Sequence, residues 1–139
     1  MKFKYFDHTA DVMFEGYGKT IEEAFSNCAL AMFNIITDVS KVKANKSFSI
    51  NIKADKLEKL LFDFFDELLF YLDTEHIFFS KFDELKIAKK GKNYTLSCIA
   101  SGDLAQRYEK HGDIKAPTYN EMSIKETKNG WVIRAVVDI

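Results

Sequence analysis

Thr20-Ile-Glu-Glu-Ala-Phe-Ser-Asn-Cys-Ala-Leu-Ala-Met-Phe-Asn-Ile-Ile36 is the stretch that decides how the rest of the chain is read. Thr20 and Glu23 form a capping-box pattern, in which hydroxyl and carboxylate satisfy backbone N–H groups at a helix start. Ile21, Ala24, Phe25, Cys28, Ala29, Met32, Phe33 and Ile36 then recur at i, i+3, i+4 spacing, so one stripe faces a core. A second pattern of this kind opens at Asp55-Lys-Leu-Glu58 and predicts a helix to about Leu72, with Leu57, Leu60, Leu61, Phe64 and Leu68 on its stripe. Phe62, Phe65, Leu69 and Phe70 widen that stripe, which predicts packing on more than one side.

Around these two helices the remaining segments read as strands. Lys2 to Phe6 and Val12 to Tyr17 are short aromatic and β-branched runs, separated by the polar loop Asp7-His-Thr-Ala-Asp11. Phe48, Ile50 and Ile52 alternate with polar residues, as do Tyr94, Leu96, Cys98 and Ala100. Ile77 to Phe79, Leu85 to Lys89, Met122 to Lys125 and Trp131 to Ile139 complete the set, and Gly91-Lys-Asn93 and Lys128-Asn-Gly130 are hairpin cues. Strands outnumber helices and the helices are not spaced as βαβ repeats. The expectation is therefore an α+β fold: a two-layer single domain over residues 1–139, with two amphipathic helices packed on a mostly antiparallel β-sheet.

Composition narrows the function. Twenty Lys and Arg against 21 Asp and Glu leave a formal net charge of −1, so no bulk field draws the chain to nucleic acid or an anionic membrane, and an RNA contact has to be local or indirect. Carboxylates interrupt every apolar run before it reaches membrane-spanning length, and Met1-Lys-Phe-Lys-Tyr-Phe-Asp7 lacks the apolar region of a secretory signal, so a cytoplasmic location is expected. Cys28 and Cys98 sit among apolar neighbours with no CxxC spacing and read as buried reduced thiols.

His8, His76 and His111 have no zinc-ligand spacing, no GxSxG elbow is present, and Gly16-Tyr-Gly18 lacks the full phosphate-loop pattern. A self-sufficient hydrolase is accordingly disfavoured. The oxygen ligands are more informative: Asp11 closes the polar loop after the first strand, and Asp138 adds its carboxylate to the main-chain and terminal oxygens of Ile139. Such a set suits a hard divalent cation, Ca²⁺ or Mg²⁺; the plainer reading is that Asp11 closes a turn and Asp138 is a solvated end residue. Lys115 is presented just before the only proline, Pro117, and Gly102-Asp103 reads equally as a turn, a cap or part of a site.

Asp7-His-Thr-Ala-Asp-Val12, Gly18-Lys-Thr-Ile-Glu-Glu-Ala-Phe25, Ala31-Met-Phe33 with Ile36-Thr-Asp38, Leu60-Leu-Phe62 followed by Glu67-Leu-Leu69, Lys115-Ala-Pro-Thr-Tyr119 and Val137-Asp-Ile139 together resemble the archease family, in order, from about residue 5 to the end. The resemblance implies an accessory protein, not an enzyme, that serves an RtcB-type RNA ligase in tRNA splicing and RNA repair. It implies help in transferring GMP from GTP to a ligase histidine, and support of multiple turnover, with tRNA met only through the ligase. It implies a Ca²⁺-type site on Asp11, Asp138 and Ile139 and a functional role for Lys115. Met13, Asp103 and Asn120 depart from residues common at those places in the family. A chaperone-like binding module that modulates solubility or specificity of an RNA-modification enzyme is the alternative.

Overall fold

The computed structural model describes residues 1–8 and 10–139. Thr9, within the polar loop singled out above, lies outside the described residues. Strands β1 (Phe3–Phe6) and β2 (Asp11–Gly18) precede helix α1 (Ile21–Ile36); β3 (Lys46–Ala54) precedes helix α2 (Leu57–Glu75). Then follow β4 (Ile77–Lys90), β5 (Asn93–Leu104), the two-residue β6 (Ala116–Pro117), β7 (Ser123–Thr127) and β8 (Gly130–Asp138). The architecture is α+β, with both helices packed on antiparallel sheets. The strands divide between two sheets: β1-β2-β8, with β6 and β7 sharing the other edge of β8, and β3-β5-β4. Each helix touches both sheets, which is why the apolar stripe of α2 is so wide. Among the described residues, no helix is long and apolar enough to cross a membrane.

The capping pattern at Thr20 operates largely as read. Thr20 Oγ1 accepts the Glu23 N–H (3.1 Å), while the Glu23 carboxylate reaches back to the N–H of Lys19 (3.3 Å), one residue before the cap. At α2 the expected cap is absent: the N-cap is Lys56, no side chain bonds there, and Asp55 lies one residue too early to serve. This helix is held by burial instead, with Leu60, Leu61, Phe64, Phe65, Leu68 and Leu69 turned into the core. It runs three residues beyond the expected Leu72 and stops where His76 takes a left-handed conformation, φ 56°.

Phe14, Phe25, Phe33, Phe64, Phe65, Phe78 and Phe79 are fully enclosed and lock helices to sheets; each contributes about 1.5–3 kcal/mol by burial. Phe33 meets Phe79 edge to face at 5.7 Å between centroids. Cys28 and Cys98 are both buried and free, as expected. Gly16 lets β2 press onto α1, since a Cβ there would sit 2.4 Å from the Cys28 sulfur.

Two expected strands, Ile77 to Phe79 and Leu85 to Lys89, are one long strand, β4. Register shifts between Phe79 and Lys81 and between Asp83 and Lys86 break its alternation, with Glu84 at φ 52°. Such bulges insert an unpaired residue and hide the period of two.

The segment that carries Lys115 is fastened along its length. At its start the buried Asp103 carboxylate, 2% exposed, accepts from Tyr108 Oη (2.7 Å), the Leu104 N–H (2.9 Å) and Asn45 Nδ2 (3.2 Å), and Arg107 lies 3.5 Å away. The Tyr108 hydroxyl, Leu104 and the Arg107 charge, against a smaller opposing effect of burial, hold the Asp103 carboxyl below its ordinary range. Further on, Thr37 Oγ1 donates to the Glu109 carbonyl (2.7 Å) and the His111 N–H to the Ile36 carbonyl (2.6 Å). Asp103 is thus an anchor for the loop, which settles the open reading of Gly102-Asp103.

Candidate functional site

Antiparallel pairing of β2 with β8 places the first residue of one directly opposite the last of the other: Asp11 faces Asp138. Directly opposed residues share a face of a sheet, so the two carboxyl groups converge, although 127 positions of chain separate them. On the other side of β8, Ala116 of β6 pairs with the same Asp138. The N–H of Lys115 donates to the Asp138 carbonyl at 2.8 Å. Asp11, Asp138 and Lys115 therefore gather at one end of the five-stranded sheet, with Ile139 immediately beyond, 45% exposed.

The electrostatics of this corner are unfavourable for two bare carboxylates. A hydrogen bond with the Asp138 carboxyl, then burial, then the Asp138 charge raise Asp11 above the ordinary carboxylic range, while His8 opposes the rise. Two carboxyls in hydrogen-bond reach share a proton or share a cation. His8 donates from Nε2 to Glu121 Oε2 at 2.9 Å, because an ionised carboxylate only accepts, and its Nδ1 is buried with no partner among the described residues. A hard divalent ion fits this donor set: two carboxylates, with the main-chain carbonyl of Ile139 following Asp138 in the chain. Among the described residues no three His, Cys, Asp or Glu side chains converge, so the two carboxylates would need neutral oxygen ligands to complete a cation's shell.

Lys115 is exposed, while the residues after it are pinned. Pro117 is buried in β6, and the N–H and hydroxyl of Thr118 both donate to the Val136 carbonyl (3.2 and 2.7 Å). Tyr119 then stacks on Phe62 of α2, with ring centroids 4.4 Å apart and planes 9° apart, and remains 51% exposed. The ammonium thus projects from a rigid base. This is the arrangement an anion-seeking lysine needs.

Several features escaped the sequence reading. The His8–Glu121 pair joins residues 113 positions apart, and nothing local announces it. Ala10 holds φ 68° just before Asp11, a left-handed backbone uncommon outside glycine and recurrent at functional sites. The two-residue strand β6 is too short for any periodicity.

The sequence profile of the Archease protein family (MTH1598/TM1083) matches residues 3–139. Proteins named archease from Methanosarcina mazei and Sulfurisphaera tokodaii are 38% and 39% identical to the chain over 140 residues each. Both alignments take in 99% of this chain, with 96% and 99% of the respective relative. The solution structure of Methanobacterium thermoautotrophicum protein 1598 superposes with a TM-score of 0.86 at 38% identity, covering 99% of both chains. A match that spans the whole length in both sequence and fold leaves one conclusion: the chain belongs to the archease family.

Proposed function

We propose that this chain is an accessory protein of an RtcB-type RNA ligase in tRNA splicing and RNA repair, promoting guanylylation of the ligase from GTP and its repeated turnover, and is not itself an enzyme. The observation that supports this most directly is the Asp11–Asp138 carboxyl pair set beside Lys115 at one exposed end of the sheet. In this reading Asp11, Asp138 and Ile139 hold a Ca²⁺-type ion. Held there, such an ion would supply positive charge toward oxygen anions of the partner complex.

The chain's own residues do the positioning. Asp11 and Asp138, fixed by eight residue pairs of strand register between β2 and β8, hold their oxygens at a set separation without further ordering cost. Lys115, tied through its N–H to Asp138, presents its ammonium to the triphosphate or to a ligase carboxylate within the same docking event. In this reading bond making falls to the ligase.

A guanylylation assay tests the reading. Purified RtcB-type ligase is incubated with labelled GTP and divalent metal, with and without this protein, and ligase-bound GMP is followed in time. Faster labelling that is lost with Asp11→Ala, Asp138→Ala or Lys115→Ala supports activation. Improved ligase solubility with no change in labelling supports the chaperone-like alternative. Covalent GMP on this chain, or GTP turnover without ligase, refutes the accessory role.

A further inference from the structure

The three-stranded sheet β3-β5-β4 covers the core with one face and leaves the other open. Register assigns the open face: Ser49 opposite Ile99 opposite Asp83, Asn51 opposite Ser97 opposite Lys86, Lys53 opposite Thr95 opposite Ala88, and Lys90 opposite Asn93, with the exposed Glu84 beside Lys86 at the Asp83 end. Lys53, Lys86 and Lys90 are exposed, and among the described residues none of them is in an ion pair. Lys81, lower on the same face, is bonded to Asp83 at 3.6 Å, so the free positive charge concentrates toward the β4–β5 hairpin, where Lys92 adds to it. The three strands and their hairpin turn carry seven lysines against three carboxylates, one of them the buried Asp103, in a chain whose formal net charge is −1. A shallow depression of about 400 Å³ runs over this area, lined in part by Asn51, Lys53, Lys90, Thr95 and Ser97.

We propose that this open face binds the phosphate backbone of an RNA strand. By strand geometry the Cα atoms of Lys53, Lys86 and Lys90 form a triangle with sides on the order of 12 to 13 Å. Thr95 lies within it, and Ser97 and Asn51 flank it in the Lys86 row, adding neutral donors. Mobile point charges interspersed with hydroxyl and amide donors are what phosphate oxygens strung along a chain require. A protein partner fits less well, because protein interfaces are anchored by buried aromatic or large apolar side chains and the outward positions here offer only Ile99 and Ala88. No aromatic ring points outward in these rows for base stacking, so binding is non-specific in sequence and salt-dependent. The face belongs to a different sheet from Asp11 and Asp138, and so is separate from the proposed ligase-docking corner. The choice of RNA as the polyanion rests on the proposed function.

The test is fluorescence anisotropy of a labelled single-stranded RNA with the full chain across a salt series. With about three phosphates neutralised, the slope of log K against log salt is about −2, and affinity falls roughly 20-fold between 50 and 200 mM salt. The triple variant Lys53→Gln/Lys86→Gln/Lys90→Gln is expected to lose at least 10-fold in affinity at low salt and most of the slope. Lys86→Gln/Lys90→Gln is expected to give an intermediate slope, so an effect of misfolding is separable, with thermal melting as the check. RNA-free guanylylation of the ligase by the triple variant is expected to match wild type, which keeps failure of this inference distinct from failure of the activator reading. Undiminished RNA binding by the triple variant overturns the proposal. So does polyglutamate of matched charge binding as tightly as the RNA.

Discussion

Adding Ca²⁺ to the metal-stripped protein is expected to reverse a stability order. In the stripped state Asp11 and Asp138 repel each other across β2 and β8, and a hydrogen bond with Asp138, burial and the Asp138 charge raise the Asp11 carboxyl above its ordinary range. Asp11→Asn or Asp138→Asn removes that repulsion while keeping shape and hydrogen bonding, so each stripped variant is expected to melt above stripped wild type. With Ca²⁺ at 100 times its Kd, wild type gains about 2.7 kcal/mol by linkage. Unfolding a chain of 139 residues releases about 0.29 kcal/mol/K of entropy at the midpoint, so that gain raises Tm by roughly 9 °C. The variants lack one of two carboxylates and are expected to gain little, which places wild type on top. The pH dependence follows from the same pair. The folded Asp11 carboxyl is raised, so the folded state binds more protons than the unfolded one over the interval between the unfolded value near 3.9 and the folded value. Stability of the stripped protein is therefore full below that interval and declines as pH rises through the folded value, while Ca²⁺ affinity climbs over the same range. Differential scanning calorimetry after chelator treatment, with and without Ca²⁺, reads all of this. An unchanged wild-type Tm, or an Asp138→Asn variant stabilised as much as wild type, would falsify the shared-cation reading.

Three further outcomes are expected. Asp103→Ala strips Tyr108, Asn45 and Arg107 of their common partner and should lower Tm by several degrees. Because the folded Asp103 carboxyl is depressed, its contribution is present above the unfolded value near 3.9 and lost as pH falls through the folded one, so the variant's acid unfolding limb should be flatter in pH-resolved melts. Ala10→Gly, at φ 68°, should relieve left-handed strain and raise stability by about 1 kcal/mol in urea melts; a loss instead would mean the side chain packs. Both thiols should resist alkylation until global unfolding, Cys98 being pushed up to about 12 by burial and Cys28 higher still; labelling of either in native buffer would contradict the packing.

What the sequence determined by itself is local in origin. The stripe from Ile21 to Ile36 specifies α1 because side chains three and four apart share a helical face, and Thr20 marks its start through hydrogen bonds spanning only three or four residues. The alternation in β3 and β5 and the turns at Gly91-Lys92 and Lys128-Asn129 are similarly legible, since each depends on neighbours in the chain. Asp11, Asp138 and Lys115 were visible as chemically suggestive residues and through the family resemblance. Their convergence was not visible, because it depends on the register of β2 on β8 and of β6 on β8, and register is set by which faces the core buries. The same non-local packing decided that the strands divide into two sheets and that β4 runs unbroken through its bulges. It also left one face of β3-β5-β4 open with its lysines exposed, an asymmetry a net charge of −1 averages away. Periodicity encodes which side of an element is apolar; only the tertiary structure decides what that side meets and what the opposite side is left to do.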